Sequence, residues 1–242
     1  MLLKEVIKNY IPIDHSRQVT LEYYLEKLLK LSDIDKPYTI LDLGCGRGET
    51  LNYFKKLNSK LKWYGIDIDN SPEVMSRTMR SEKFITFNGI NIPFEDNNFD
   101  LIFSRQVFEH VKNPRELLSE VNRVLKPGGY FIGSTSHLEP FHSFSYWNYT
   151  PFGFYTLINE SKLILIHLRA GIDSFTLILR RMLKSPKFFN IFWRKESPFN
   201  FLILIIGKLF RISTLNINAV KLLFCGQFIF FVTKESNKSL KS

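Results

Sequence analysis

The run Asp42-Leu43-Gly44-Cys45-Gly46-Arg47-Gly48-Glu49 constrains this chain more than any other. It lies between an apolar β-rich stretch, TILDL, and a helical pattern carried by Leu51, Phe54 and Leu57. Three glycines at alternate positions let the backbone turn with positive φ and let a ligand approach the main chain, as at the first turn of a nucleotide-binding βαβ unit. A plain strand-to-helix turn does not require three.

Charge narrows the ligand. A dinucleotide fingerprint needs a further glycine at position 49, where this chain has Glu. A pyrophosphate on the helix N-terminus would face the carboxylates of Asp42 and Glu49, which offsets the attraction of the helix dipole. The loop suits a ligand carrying positive charge, such as S-adenosylmethionine with its sulfonium and α-ammonium. Asp67 ends the next apolar run, where an acidic side chain can accept both ribose hydroxyls. Its alternative is a loop aspartate, with Asp69 close by. Asn88 and Gly89 end the third run; the Asn amide can meet an adenine edge or serve as a turn residue.

Short β-rich runs, TILDL, WYGIDI, KFITF, FDLIFS and YFIGST, alternate with helical patterns. That order predicts a mostly parallel sheet covered on both faces. Leu21, Tyr24, Leu25 and Leu28 predict a helix ending before Pro37, and Leu117, Leu118, Val121 and Val124 a second from Pro114. Lys126-Pro127-Gly128-Gly129 turns the latter into the next strand. Thr150-Pro151 opens another helix as cap and first residue. KLILIHL and GQFIFFVTK close the sheet.

Together these segments resemble the class I S-adenosylmethionine-dependent methyltransferases, and within them the subgroup holding ubiquinone and menaquinone biosynthesis and many small-molecule methyltransferases. The residues that carry the resemblance are ILDLGCGRGE (40–49), YGIDID (64–69), NIPFEDNNFDLIFSRQVFEHV (91–111), NPRELLSEVNRVLKPGGYFIGST (113–135) and GQFIFFVTKE (226–235). The resemblance implies an α/β, Rossmann-like, seven-stranded sheet, mostly parallel, with helices on both faces and an antiparallel last strand. It divides the chain into an N-terminal helical cap (1–36), a cofactor-binding core (37–169), a basic, apolar insertion (170–225) and the final strand (226–235). It implies that Asp42, Gly44, Cys45, Gly46 and Gly48 contact the methionine end of the cofactor, that Asp67 binds the ribose and Ile68 covers the adenine. Asn88 would accept from the adenine amino group in place of the family's Asp, with Gly89 beside it, and Gln106 would line the methyl-donor pocket. Some related quinone O-methyltransferases bind a divalent cation through Glu-x-x-Glu-His after strand four. Here the run is Gln106-Val107-Phe108-Glu109-His110, and a neutral Gln replaces the first carboxylate that a hard cation prefers. No metal site is expected.

Methyl transfer is a displacement at an activated carbon, so the protein supplies alignment and exclusion of water. A hydroxyl acceptor also needs a base, and His is the usual one. The segment STSHLEPFHSFSYWNYTPFGF follows strand five at the edge where α/β ligands bind. It offers His142 or His137 as base and Glu139 as orienter, although a lone His is more often structural.

Charge is unevenly spread. Residues 1–160 hold 19 basic and 20 acidic side chains, whereas 161–242 hold 14 basic and 3 acidic. RRMLKSPKFFNIFWRK (180–195) precedes a helical run, FNFLILIIGKLFRI, started by Ser197-Pro198 as cap and first residue. Basic residues beside aliphatics and aromatics describe an interfacial helix on anionic lipid, over 180–212, or a lid or dimer helix. Nucleic acid is the competing anionic partner, but single-strand readers place aromatics on a polar groove. The expected substrate is therefore a small molecule or a lipid-linked acceptor, a quinone precursor or glycan. RNA methylation and a non-catalytic cofactor-binding scaffold are the alternatives. Two distant cysteines, Cys45 and Cys225, exclude a disulfide framework or thiolate zinc site. The N-terminus lacks an apolar signal-peptide core, and no stretch has the roughly 20 apolar residues of a bilayer span. A cytoplasmic chain, peripheral at the inner face of the membrane, is expected. Oligomeric state is not readable from these residues.

Overall fold

Each of the five apolar runs becomes a strand, and all five run parallel. The computed structural model describes residues 6–31, 38–58, 60–81 and 83–236. Strands β1 (Thr39–Leu43), β2 (Lys62–Asp67), β3 (Phe84–Thr86), β4 (Phe99–Arg105) and β5 (Leu125–Ser136) are followed by β6 (Leu163–Ala170) and β7 (Gln227–Lys234). They form one seven-stranded sheet in the order β3-β2-β1-β4-β5-β7-β6. β7 runs antiparallel to both β5 and β6, as the resemblance implies.

Alternation along the strands sorts the core into two layers. Leu41, Leu43 and Ile102 point into one buried cluster with α4 (Pro114–Val124) and α5 (Pro151–Glu160), while Ile40, Leu101 and Phe103 point into another with α1 (Leu21–Leu31) and α2 (Glu49–Leu57). Helices therefore cover both faces, and α3 (Pro72–Met75) is a single short turn after β2. The expected stripe of α1 is buried at Leu21, Tyr24, Leu25 and Leu28. Pro37 and the boundary expected at 36/37 lie outside the described residues.

The entry to α5 follows the sequence rule, with the Thr150 hydroxyl accepting from Gly153 N at 3.0 Å, a cap that contributes about 1 kcal/mol. Lys126–Gly129 behaves differently from the simple turn expected. Phe99 pairs with Leu125 but Leu101 pairs with Tyr130, so these four residues bulge from the start of β5. Lys126 Nζ there bonds Asp100 at 2.8 Å.

Between β6 and β7 the chain forms α6 (Ser174–Met182), a 3-10 segment (Lys187–Trp193), α7 (Pro198–Leu209) and α8 (Thr214–Leu223). Gln18 ties this region to the N-terminal segment. Its amide nitrogen donates to Phe192 O at 2.8 Å, and its oxygen accepts from Ser197 Oγ at 2.9 Å and Asn200 Nδ2 at 2.7 Å. Ser197 thus corrects one expectation. It precedes α7, but its hydroxyl serves Gln18 and accepts from Asp173 N, rather than capping the helix.

Candidate functional site

The parallel strands end at one edge, and their order reverses between β1 and β4. In open α/β sheets that reversal opens the ligand crevice. The glycine loop leaves β1 on one side and Gln106-Val107 leaves β4 on the other. Gly44, at φ +74°, lies so close to this second loop that a Cβ would overlap Val107 Cγ2. Gly48, at φ +80°, likewise leaves no room for a Cβ against the Phe84 ring.

Four of the loop's amide donors are spent inside the protein. Gly44 N and Cys45 N bond Ile66 O at 2.8 and 3.1 Å, Gly48 N bonds Cys45 O at 2.8 Å, and Gly46 N bonds Asp67 Oδ2 at 2.7 Å. A pyrophosphate needs such N–H groups free. Here the site presents oxygen instead. Asp42 is buried behind the loop, takes the Thr50 hydroxyl, and is pushed up to about 7 by burial. Burial also raises Asp67, whose two oxygens accept from Gly46 and Ile68 N (2.8 Å) and retain lone pairs for a diol. Arg77, which the sequence does not single out, holds the loop from outside through Gly46 O at 2.7 Å. Two carboxylates and a donor-poor turn fit the cationic S-adenosylmethionine expected at this position.

At the far end, Ile68 is partly exposed beside Gly89, whose φ is +86°. Asn88 differs from expectation. Its Oδ1 accepts from Ile90 N at 3.0 Å and Asn91 N at 2.8 Å, so the oxygen meant for an adenine amino group builds the turn instead. Cys45 is buried, and burial raises its thiol far above the usual range.

A cleft of about 790 Å³ opens beside the end of β4. Gln106 and Ser134 form its floor. Thr20 and Glu22 line one wall, and Asn190, Ile191, Trp193, Arg194 and Lys195 line another. Arg105, also in the lining, pairs with Glu22. Gln106 sits at φ +52°, a conformation that costs a non-glycine residue about 1 kcal/mol and is held by Gln106 N bonding Ser134 O at 3.0 Å. Its amide satisfies its surroundings with nitrogen toward Glu109 Oε1 (2.7 Å) and Glu139 Oε2 (3.1 Å), and oxygen toward Ser134 Oγ (3.2 Å).

The three candidate catalytic residues separate. His137 is buried, with Nδ1 2.8 Å from Tyr149 O and its ring also facing the Leu223 carbonyl; burial lowers its pKa. With its ring nitrogens turned to backbone it is a packing residue, which corrects its candidacy as base. Glu139 Oε2 lies 3.0 Å from Ser136 Oγ, whose one proton it shares with Glu109, and burial raises it. His142 is half-buried, its Nδ1 3.7 Å from Glu139 Oε1. The path from the cleft therefore runs Gln106, Glu139, His142. The aromatics of 138–149 do not line the cleft; Tyr146 N and Trp147 N bond Glu109 O instead.

Glu109, in the run after β4, is fully buried. It takes Thr135 Oγ1 at 3.0 Å and Ser136 Oγ at 3.1 Å and is raised to about 7 by burial. Glu109, His110 and His142 bring ligand-capable atoms within 4.8 Å of one another. The neutral Gln106 argues against a metal, and His142, arriving from the segment after β5, adds a ligand-capable side chain that the local run does not contain.

Residues 41–133 match the family model described as a methyltransferase domain. The malonyl-[acyl-carrier protein] O-methyltransferase of Marinomonas sp. is 32% identical over 120 residues, covering 46% of this chain and 43% of that protein. The chain thus spans less than half the length of this relative. Among solved structures, a putative sarcosine dimethylglycine methyltransferase from Galdieria sulphuraria has a TM-score of 0.59 at 15% identity, covering 93% of this chain and 94% of that one. The phosphoethanolamine N-methyltransferase 2 of Haemonchus contortus in complex with S-adenosyl-L-methionine has a TM-score of 0.55 at 19% identity, covering 89% and 53%.

Proposed function

We infer that this chain, which carries a class I S-adenosylmethionine-dependent methyltransferase domain, moves the methyl group of S-adenosylmethionine to a small-molecule or lipid-linked acceptor seated in the cleft over Gln106. The observation that carries this reading is the glycine loop with its amides spent on Ile66, Cys45 and Asp67 and two carboxylates behind and beside it. Such a loop selects a cation over a pyrophosphate.

When bound, the cofactor supplies a methyl carbon activated by its sulfonium. Asp67 holds the diol end, and the Asp42 carboxylate faces positive charge through the loop. Gln106, fixed on Ser134, Glu109 and Glu139, aligns the acceptor against that carbon. With Arg105 paired to Glu22, Arg194 and Lys195 in the lining suit an acceptor with anionic groups. For a hydroxyl acceptor, the nearest titratable outlet for the proton lies behind Gln106, at Glu139, with His142 Nδ1 3.7 Å beyond it. The bound cofactor would supply the methyl group for the new oxygen–carbon bond and keep the electron pair of the broken sulfur–carbon bond. The hydroxyl proton would pass to this Glu139–His142 pair.

Calorimetric titration with S-adenosylhomocysteine tests the cofactor half of this reading. One molecule bound per chain supports it. No binding by S-adenosylhomocysteine, with heat evolved by a nicotinamide dinucleotide, overturns it.

A further inference from the structure

A helix on a folded protein buries its apolar stripe and exposes its polar one. α7 does the reverse. Phe201, Leu202, Ile205, Ile206, Leu209 and Phe210 are between 43% and 74% exposed. The inward positions are Asn200, fully buried and bonded to Gln18 and Gly171 O (2.9 Å), and Gly207, where a Cβ would collide with Ile217. This inversion is built in, because a larger side chain at position 207 cannot pack against α8. α6 continues the surface: Phe175 packs on Phe199 with ring centroids 4.4 Å apart, and Met182 and Leu183 are exposed.

Charge identifies what covers this surface. Between Ser174 and Ile212 the chain has eight basic side chains and one acidic one, Glu196. Glu196 is occupied by Lys221 and turned inward toward Gln18 N. Arg181, Lys184, Lys187, Lys208 and Arg211 are exposed around the apolar patch. A second copy meeting this face isologously would set these cations against each other. An anionic lipid surface complements both parts, taking side chains such as Phe201 and Leu209 into the acyl boundary and the cations onto headgroups. None of the described helices is long and apolar enough to cross a membrane, which leaves α7 an in-plane orientation on a lipid surface.

We propose that α6, the 3-10 segment and α7 form an in-plane docking surface for anionic lipid bilayers. The 3-10 segment has two sides to this role. Phe188 is exposed on it, while Asn190, Ile191 and Trp193 line the cleft. Docking therefore sets the cleft mouth at the lipid boundary. Insofar as the methyl-transfer reading holds, the acceptor is an amphiphile whose polar head enters between Trp193 and Gln106 while its apolar chain stays in the bilayer.

The test is co-sedimentation of the full chain with phosphatidylcholine vesicles, with and without about 30% phosphatidylglycerol, in the absence of cofactor. Binding to the anionic vesicles, weakened by salt as Debye screening requires, is expected. Ile205→Glu with Leu209→Glu should lower the partition roughly tenfold, and Lys184→Gln with Lys208→Gln should lower it only on anionic vesicles. Both pairs are exposed, and unchanged S-adenosylhomocysteine binding reports that the fold persists. No binding to either vesicle, equal binding to both, or binding insensitive to the Glu pair overturns the proposal. So does a dimer that the Glu pair dissociates without vesicle binding. Because vesicle binding is read without cofactor, its success alongside failed S-adenosylhomocysteine binding would overturn only the methyl-transfer reading.

Discussion

Gly46 N donates to Asp67 Oδ2 across 2.7 Å, joining the tip of the glycine loop to the end of β2. The bond aims the Asp67 carboxylate and fixes the loop at once, so cofactor pocket and sheet edge form one unit. Asp67→Ala should weaken S-adenosylhomocysteine binding about 10- to 100-fold, the loss of about 1.5–3 kcal/mol associated with hydrogen bonds to a charged group. Calorimetry reads the effect, and a melting temperature within a few degrees of the parent shows that it is local.

Asp42 gives the site a pH dependence. Burial pushes its carboxyl up to about 7, so below that pH it is largely protonated in the free protein. A cationic ligand favours the ionised form, so binding there must release a proton. Affinity for S-adenosylmethionine should therefore fall as pH drops from 8 to 6, and binding heats should vary with the buffer's ionisation enthalpy. Asp42→Asn should bind more weakly at pH 8 and lose most of this dependence.

Gly44→Ala should destabilise the fold by about 2–4 kcal/mol, since it combines a Cβ at positive φ with overlap on Val107. Adding Val107→Ala removes the overlap but not the strained φ. Urea denaturation of the four proteins of this cycle should show partial recovery in the double variant.

His142 and His137 should part company under substitution. His142→Ala is expected to lower turnover on a hydroxyl acceptor by about 10²- to 10⁴-fold while cofactor binding persists. His137→Ala should act mainly on stability, because its ring is anchored to Tyr149 O. Rate and melting temperature measured on both variants separate the two roles.

Gln18→Ala should loosen the cleft wall. It strips partners from Phe192 O, Ser197 and the buried Asn200, costing about 1–3 kcal/mol. Acceptor KM should rise more than cofactor Kd, because Gln18 braces the segment of Trp193 and Lys195 rather than the glycine loop.

Features written in local sequence were readable in advance. Strand periodicity at Thr39–Leu43 and Phe99–Arg105, the Thr150 cap and the charge of the glycine loop each depend on neighbours within a few residues. What escaped depends on distant ones. Asn190–Lys195 reach the cleft from far along the chain, and Gln18 meets its partners from the other end. His142 comes beside His110 only because the segment after β5 folds back onto Glu109. Asn88 carries both readings that its sequence allows, an adenine contact or a turn. Asn-Gly after a strand is a turn signal, and the turn takes its oxygen.

Methyl transfer itself is read by incubating the protein with methyl-labelled S-adenosylmethionine and separated lipid, RNA and polar-metabolite fractions. Label is predicted in the organic-extractable lipid fraction, lost in Asp67→Ala. Label confined to RNA, or unconsumed S-adenosylmethionine in every fraction, would contradict the account.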